Sequence, residues 1–144
     1  MATKEVFSQS FKVGNIYWFV DPQISSSEPH PHVCVGIRRG NGIFMLCGTS
    51  QFEKKRRYFE LNGLPFETLV RVQANITNTI TKDTFVNCNE IQIHTIDTLY
   101  ANSSFGLKGE VSENELFQIK NGIEISELLE EDLKKEILID FPEF

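Results

Sequence analysis

The chain has no uninterrupted apolar run near the roughly 20 residues that a bilayer-spanning helix needs. Its opening, Met-Ala-Thr-Lys-Glu, has no apolar signal core. These absences exclude a helical membrane span, remove the membrane as an expected partner and make a soluble, cytoplasmic protein the expectation. Cysteine is scarce: three residues, Cys34, Cys47 and Cys88, with no Cys-x-x-Cys motif. An odd count without a secretion signal argues against a disulfide framework. Each sits in an apolar or strand-like context and reads as a buried thiol, beside two less ordinary readings, a Cys34–Cys47 bridge and a reactive thiol. Histidine is also sparse. His30 and His32 share one spacing, but no third ligand stands at a recognisable metal spacing, so no metal site and no cofactor are expected.

What is present suits one domain. The 144 residues are 40% apolar, and twelve Phe against one Trp supply much of the core volume. The expected division is a β-rich part over 11–100 and C-terminal helices over 111–140. The net charge of -6 hides an asymmetry. Residues 1–107 hold 10 Lys/Arg and 9 Asp/Glu, whereas residues 108–144 hold 4 and 11. The acidic end disfavours nucleic acid there. The run Lys54-Lys55-Arg56-Arg57, with Arg38 and Arg39, supplies local positive potential for phosphates or is a solvated loop.

The richest segment runs from His30 to Ser50. Val33, Val35 and Ile37 alternate with His32, Cys34 and Gly36, which predicts a strand with a core face and a face of small or polar groups. A glycine turn at Arg39-Gly40-Asn41-Gly42 would fold Ile43–Thr49 back on it, bringing the His30/His32 end to Thr49 and Ser50. Before this hairpin, Ile16–Val20 reads as an aromatic strand. Its neighbours Tyr17 and Trp18 face opposite ways, one toward the core and one free to stack on a base. Residues 21–31 read as a loop, suited to gripping a substrate or to plain surface cover.

After the hairpin, Gln51–Arg57 is expected as a charged loop and Tyr58–Leu61 as a strand ended by Asn62-Gly63. Further strands are expected at Thr68–Val72, Thr84–Asn87 and Ile91–Thr95, with His94 opposite Ile91 and Ile93; Asn75–Asp83 suits strand or turn. Ser112 and Glu115 form a capping box, Val111 and Leu116 a hydrophobic staple, and Gly122 a helix stop. A second helix is expected from near Ser126. Its stripe Leu129, Leu133 and Ile137 would pack on the core or on a partner. The short strands define a small antiparallel barrel or sandwich followed by one or two helices.

Gly14-Asn15-Ile16-Tyr17-Trp18, the proline before Val33-Cys34-Val35, the strand end Thr49-Ser50, Phe85-Val86-Asn87-Cys88-Asn89 and Ile96-Asp97 stand in an order that resembles the MazF/PemK (Kid) toxins of type II toxin-antitoxin systems. The resemblance spans roughly residues 12–130. It implies an SH3-like barrel of the MazF/PemK/CcdB kind with C-terminal helices, a homodimer, a cognate antitoxin protein, and metal-independent cleavage of single-stranded RNA by attack of the ribose 2'-hydroxyl. His30 stands where the family has an arginine, Thr49 matches a family threonine, and Asn87 and Asn89 replace a charged pair. An asparagine neither carries charge nor takes a proton near neutral pH. The expected catalytic set is therefore His30, His32 and Thr49, with imidazoles serving as acid and base, and Ser50, Arg56, Arg57, Asn87 and Asn89 as RNA contacts. The alternative is an SH3-like barrel without catalysis that binds protein or nucleic acid.

Overall fold

The computed structural model of the chain describes residues 3–75 and 80–143. Seven strands form the frame: β1 (Asn15–Phe19), β2 (His30–Arg38), β3 (Gly42–Thr49), β4 (Leu69–Val72), β5 (Thr84–Asn87), β6 (Gln92–Thr95) and β7 (Gly106–Glu110). All described strand pairs are antiparallel, in the order β4-β5-β3-β2-β1-β7. Strand β3 serves two neighbours along one edge: Gly42–Met45 pair with β6, whereas Gly48 and Thr49 pair with β5. That division curls the sheet into a half-barrel.

The expected hairpin is present, with Gly40 at φ +100° in its turn, a conformation that a β-carbon would strain. Its faces differ from the simple alternation. Cys34 pairs with Met45 and Gly36 with Phe44, leaving Val35 as an extra residue in a bulge. The bulge moves Ile37 to the other face, where it is 39% exposed. Both faces of the sheet are covered. One carries Ile16, Val33, Val35, Phe44 and Leu46 with residues of β4 and β5; the other carries Tyr17, Phe19, Cys34, Ile43 and Met45. The small-or-polar face read from the sequence is therefore a second core.

Among the described residues five α-helices seal these layers: α1 (Lys4–Ser8), α2 (Phe52–Asn62), α3 (Ile96–Ala101), α4 (Glu113–Ile125) and α5 (Glu131–Leu138). The loop and strand expected over 51–61 are instead the single helix α2. Arg56 bridges Glu53 and Glu60 along it, Phe59 turns inward, and Gly63 at φ +63° ends it in a left-handed cap. The Asn62-Gly63 signal is thus a helix stop. The capping box at Ser112–Glu115 forms as read, but Gly122 lies inside α4. A β-carbon there would stand 2.7 Å from Cys88 Sγ, so this glycine permits close packing on Cys88, just past the end of β5.

Helix α5 begins at Glu131 and packs its Leu133/Ile137 stripe on the chain's own core, against β2 at Gly36. Fully burying an aliphatic side chain of this size contributes roughly 1.5–3 kcal/mol, which fixes the inward face. The N-terminal residues are docked: Phe7 packs edge-on to Phe11, Tyr100 and Phe105. Within the Asn75–Asp83 stretch, Asn75 bridges to Ile80, and residues 76–79 lie outside the described residues. Among the described residues, no helix is long and apolar enough to cross a membrane.

Candidate functional site

Where β2 begins and β3 ends, two adjoining concavities of about 250 and 300 Å³ share His30, Gly48, Thr49 and Gln51. The antiparallel register brings these residues together, since His32 faces Cys47 and the strands continue past that pair. Gly48 is required by close approach: a β-carbon there would collide with Thr84 Cγ2 and meet the Pro31 carbonyl at 3.2 Å. The first concavity is also lined by Trp18, Ser50 and Lys82, the second by Lys54, Lys55 and Asn87. Glu28 and Glu90 sit at their walls, so three lysines face two carboxylates.

Two residues of the lining also carry an enclosed donor. Trp18 Nε1 and Asn87 Nδ2 have no hydrogen-bond partner among the described residues, and one belongs to each concavity. A buried donor without an acceptor costs about 1–3 kcal/mol. The Thr49 hydroxyl oxygen accepts from the Gln51 amide at 3.2 Å, leaving its proton to donate elsewhere. His30 Nδ1 lies 3.0 Å from the Glu28 carbonyl. A carbonyl only accepts, so Nδ1 carries a proton and Nε2 is the basic nitrogen of the neutral ring.

The other sequence-derived residues are distributed differently. His32 is fully buried and absent from both linings, whereas Ser50 lines the first. Arg56 is held by Glu53 and Glu60 on α2, and neither it nor Arg57 lines the concavities. Helical winding separates the basic run: Lys54 and Lys55 reach the groove, which a loop reading of 51–57 could not distinguish. Asn89 is buried, donates to Thr68 and Asn87, and accepts from Ser126, tying β5 to the end of α4. Trp18 is the member of the aromatic pair that reaches the groove, while Tyr17 fills the core.

Beneath the groove lies a cluster that the sequence did not reveal. His32 Nδ1 donates to the His30 carbonyl at 2.8 Å, and Nε2 faces Asp21 Oδ2 at 2.9 Å. The His32 ring stacks on Phe19 with centroids 4.0 Å apart. Asp21 Oδ1 accepts from the Gln23 amide at 2.8 Å. Burial alone would raise the Asp21 carboxyl, but the His32 and Gln23 hydrogen bonds outweigh it and hold the group down at about 2. Asp21 and His32 thus form a fully buried carboxylate–imidazole pair.

His94 completes the cluster, with Nε2 donating to Gln92 Oε1 at 2.9 Å and Nδ1 accepting from Gln23 Nε2 at 3.3 Å. Burial pushes its ring down to about 4, which keeps it neutral. Its place opposite Ile93 agrees with the strand alternation, but that side is interior. Cys47 Sγ lies within 4.8 Å of the Asp21 and His32 ligand atoms. Both ring nitrogens of His32 are engaged, by Asp21 and by the His30 carbonyl, and burial pushes the Cys47 thiol up to about 12. All three cysteines are free, and Cys34 pairs across the hairpin with Met45 rather than Cys47.

No known protein-family model matches the chain, and no curated protein matches it.

Proposed function

We propose that this chain is a MazF/PemK-like toxin whose SH3-like barrel binds single-stranded RNA in the groove around His30 and Thr49 and cleaves it without metal. The observation that carries the reading is the convergence of His30 and Thr49 with Lys54, Lys55 and Lys82 on two adjoining concavities. Donors and ammonium groups together suit a guest rich in acceptors and negative charge, such as a phosphodiester with its base edges. In this reading His30 Nε2 takes the ribose 2'-hydroxyl proton, while Thr49 and the lysines stabilise the charge of the phosphorane. A homodimer and a cognate antitoxin accompany the proposal through the family resemblance.

Purified protein incubated with mixed single-stranded RNA and a chelator is expected to yield products ending in cyclic phosphate. His30→Ala should lower that rate by about 10²–10⁴-fold. Wild type and variant behaving alike would remove the catalytic reading. Binding without cleavage is the second reading, favoured by the uncharged Asn87 and by the enclosure of His32 and Asn89. It leaves salt-dependent RNA affinity without products.

A further inference from the structure

We infer that Asp21, His32 and Cys47 form a binding site for one zinc-class divalent cation beneath the groove. Their ligand atoms all lie within 4.8 Å of one another, and among the described residues no other three His, Cys, Asp or Glu groups come together in this way. Tetrahedral zinc bonds of about 2.0–2.3 Å place neighbouring donors roughly 3.3–3.6 Å apart, so modest rearrangement closes the set around an ion. Thiolate, imidazole and carboxylate donors together select zinc or cobalt over magnesium and calcium.

The surroundings fit that role. His32 Nδ1 is anchored on the His30 carbonyl, the outer hydrogen bond that commonly orients a metal-binding imidazole and directs Nε2 to the ion. The Gln23 amide holds Asp21 Oδ1 in the same way, and the ion would take the place of the hydrogen bond that now joins Oδ2 to His32 Nε2. Asp21 is fully buried, and its ion-pair partners among the described residues are histidines, with no Lys or Arg among them. Cys47 is partly exposed and lines the 300 Å³ concavity, which gives an ion a way in and leaves a fourth position for water. His94 Nε2, 3.9 Å from Asp21 Oδ2, donates to Gln92 and stays outside the ligand set.

The ion meets two anionic ligands, the Asp21 carboxylate and the Cys47 thiolate, with the Cys47 proton released to solvent, so the loaded cluster is neutral. Metal-stripped protein titrated with Co²⁺ is expected to bind one equivalent with a thiolate-to-cobalt charge-transfer band, bleached by Zn²⁺. Zinc binding in weak buffer should release the Cys47 proton and raise the melting temperature by on the order of 5 °C. Cys47→Ser, a near-isosteric change at a partly exposed site, should abolish the band, whereas His30→Ala should retain it. Failure of wild type to hold metal through gel filtration would overturn the site, as would a band that survives Cys47→Ser or vanishes with His30→Ala. These readouts are independent of RNA cleavage, so the site and the nuclease reading can fail separately.

Discussion

His30 and His32 occupy successive positions on the same face of one strand, yet they live in different media. His30, at the mouth of β2, has one nitrogen bound to the Glu28 carbonyl and lines both concavities. His32, one pleat further in, is covered by the loop after β1 and stacked on Phe19, with both nitrogens committed. The groove around the first is partly open and lined by three lysines. The cluster around the second is closed, with its donors and acceptors matched. Identical side chains thus divide into one able to meet a substrate and one that organises the interior, and coverage decides which.

The sharpest way to break this comparison is to remove the charge that His32 faces. Asp21→Ala breaks this buried pair, leaving His32 Nε2 and the Gln23 amide without their acceptor, and is expected to cost about 3–5 kcal/mol in urea unfolding. His30→Ala should stay within about 0.5 kcal/mol of wild type. Equal losses would erase the distinction.

Acid should attack the same cluster in two stages in metal-free protein. His94 is held neutral down to about 4, whereas the unfolded chain takes up a proton near 6.5, so stability falls as pH drops from 6.5 to 4. Asp21 is held at about 2 against an ordinary 3.8, so its contribution is complete above 3.8 and lost as pH falls through 2. Unfolding free energy measured from pH 7 to 3 should therefore decrease monotonically; a flat profile between 6.5 and 4 would mean that His94 is not enclosed.

The smallest effect sharpens the groove. Replacing both Lys54 and Lys55 by Ala should lower the salt slope of single-stranded RNA binding by about 1.4, whereas Arg56→Ala should leave it unchanged. Arg56 already satisfies Glu53 and Glu60, and exposed pairs of this kind contribute about 1 kcal/mol or less to stability. A larger slope change from Arg56 would move the RNA path onto the outer face of α2.

Much of the frame was legible along the chain because its signals are local. The hairpin, the strands near 69–72 and 84–87, and the capping box rest on alternation, turn glycine and reciprocal hydrogen bonds within four residues. Helix α2 was misread because Tyr58-Phe59 has strand propensity, while the Glu53–Arg56–Glu60 pairing and the Gly63 cap favour a helix. Gly122 was misread because a glycine that ends a helix and one that admits Cys88 look alike in sequence. Of the expected site, His30, Thr49, Ser50 and Asn87 meet at the groove; His32 and Asn89 lie inside and Arg56 lies elsewhere. Trp18 had appeared as one of two aromatic candidates, and Lys54 and Lys55 only within the basic run.

The sequence by itself determined a β-rich chain with helices at its C-terminal end, a glycine hairpin joining imidazole to hydroxyl, and thiols without a disulfide pattern. Those properties follow from periodicity and neighbour chemistry, which act over a few residues. Only the tertiary structure decided that β2 is buried on both faces, that Asp21 and His94 close on His32, and that Cys47 joins them. These contacts link residues far apart in the chain, and they depend on the branching of β3 between β5 and β6 and on the bulge at Val35. No local pattern encodes which side of a strand the rest of the molecule will cover.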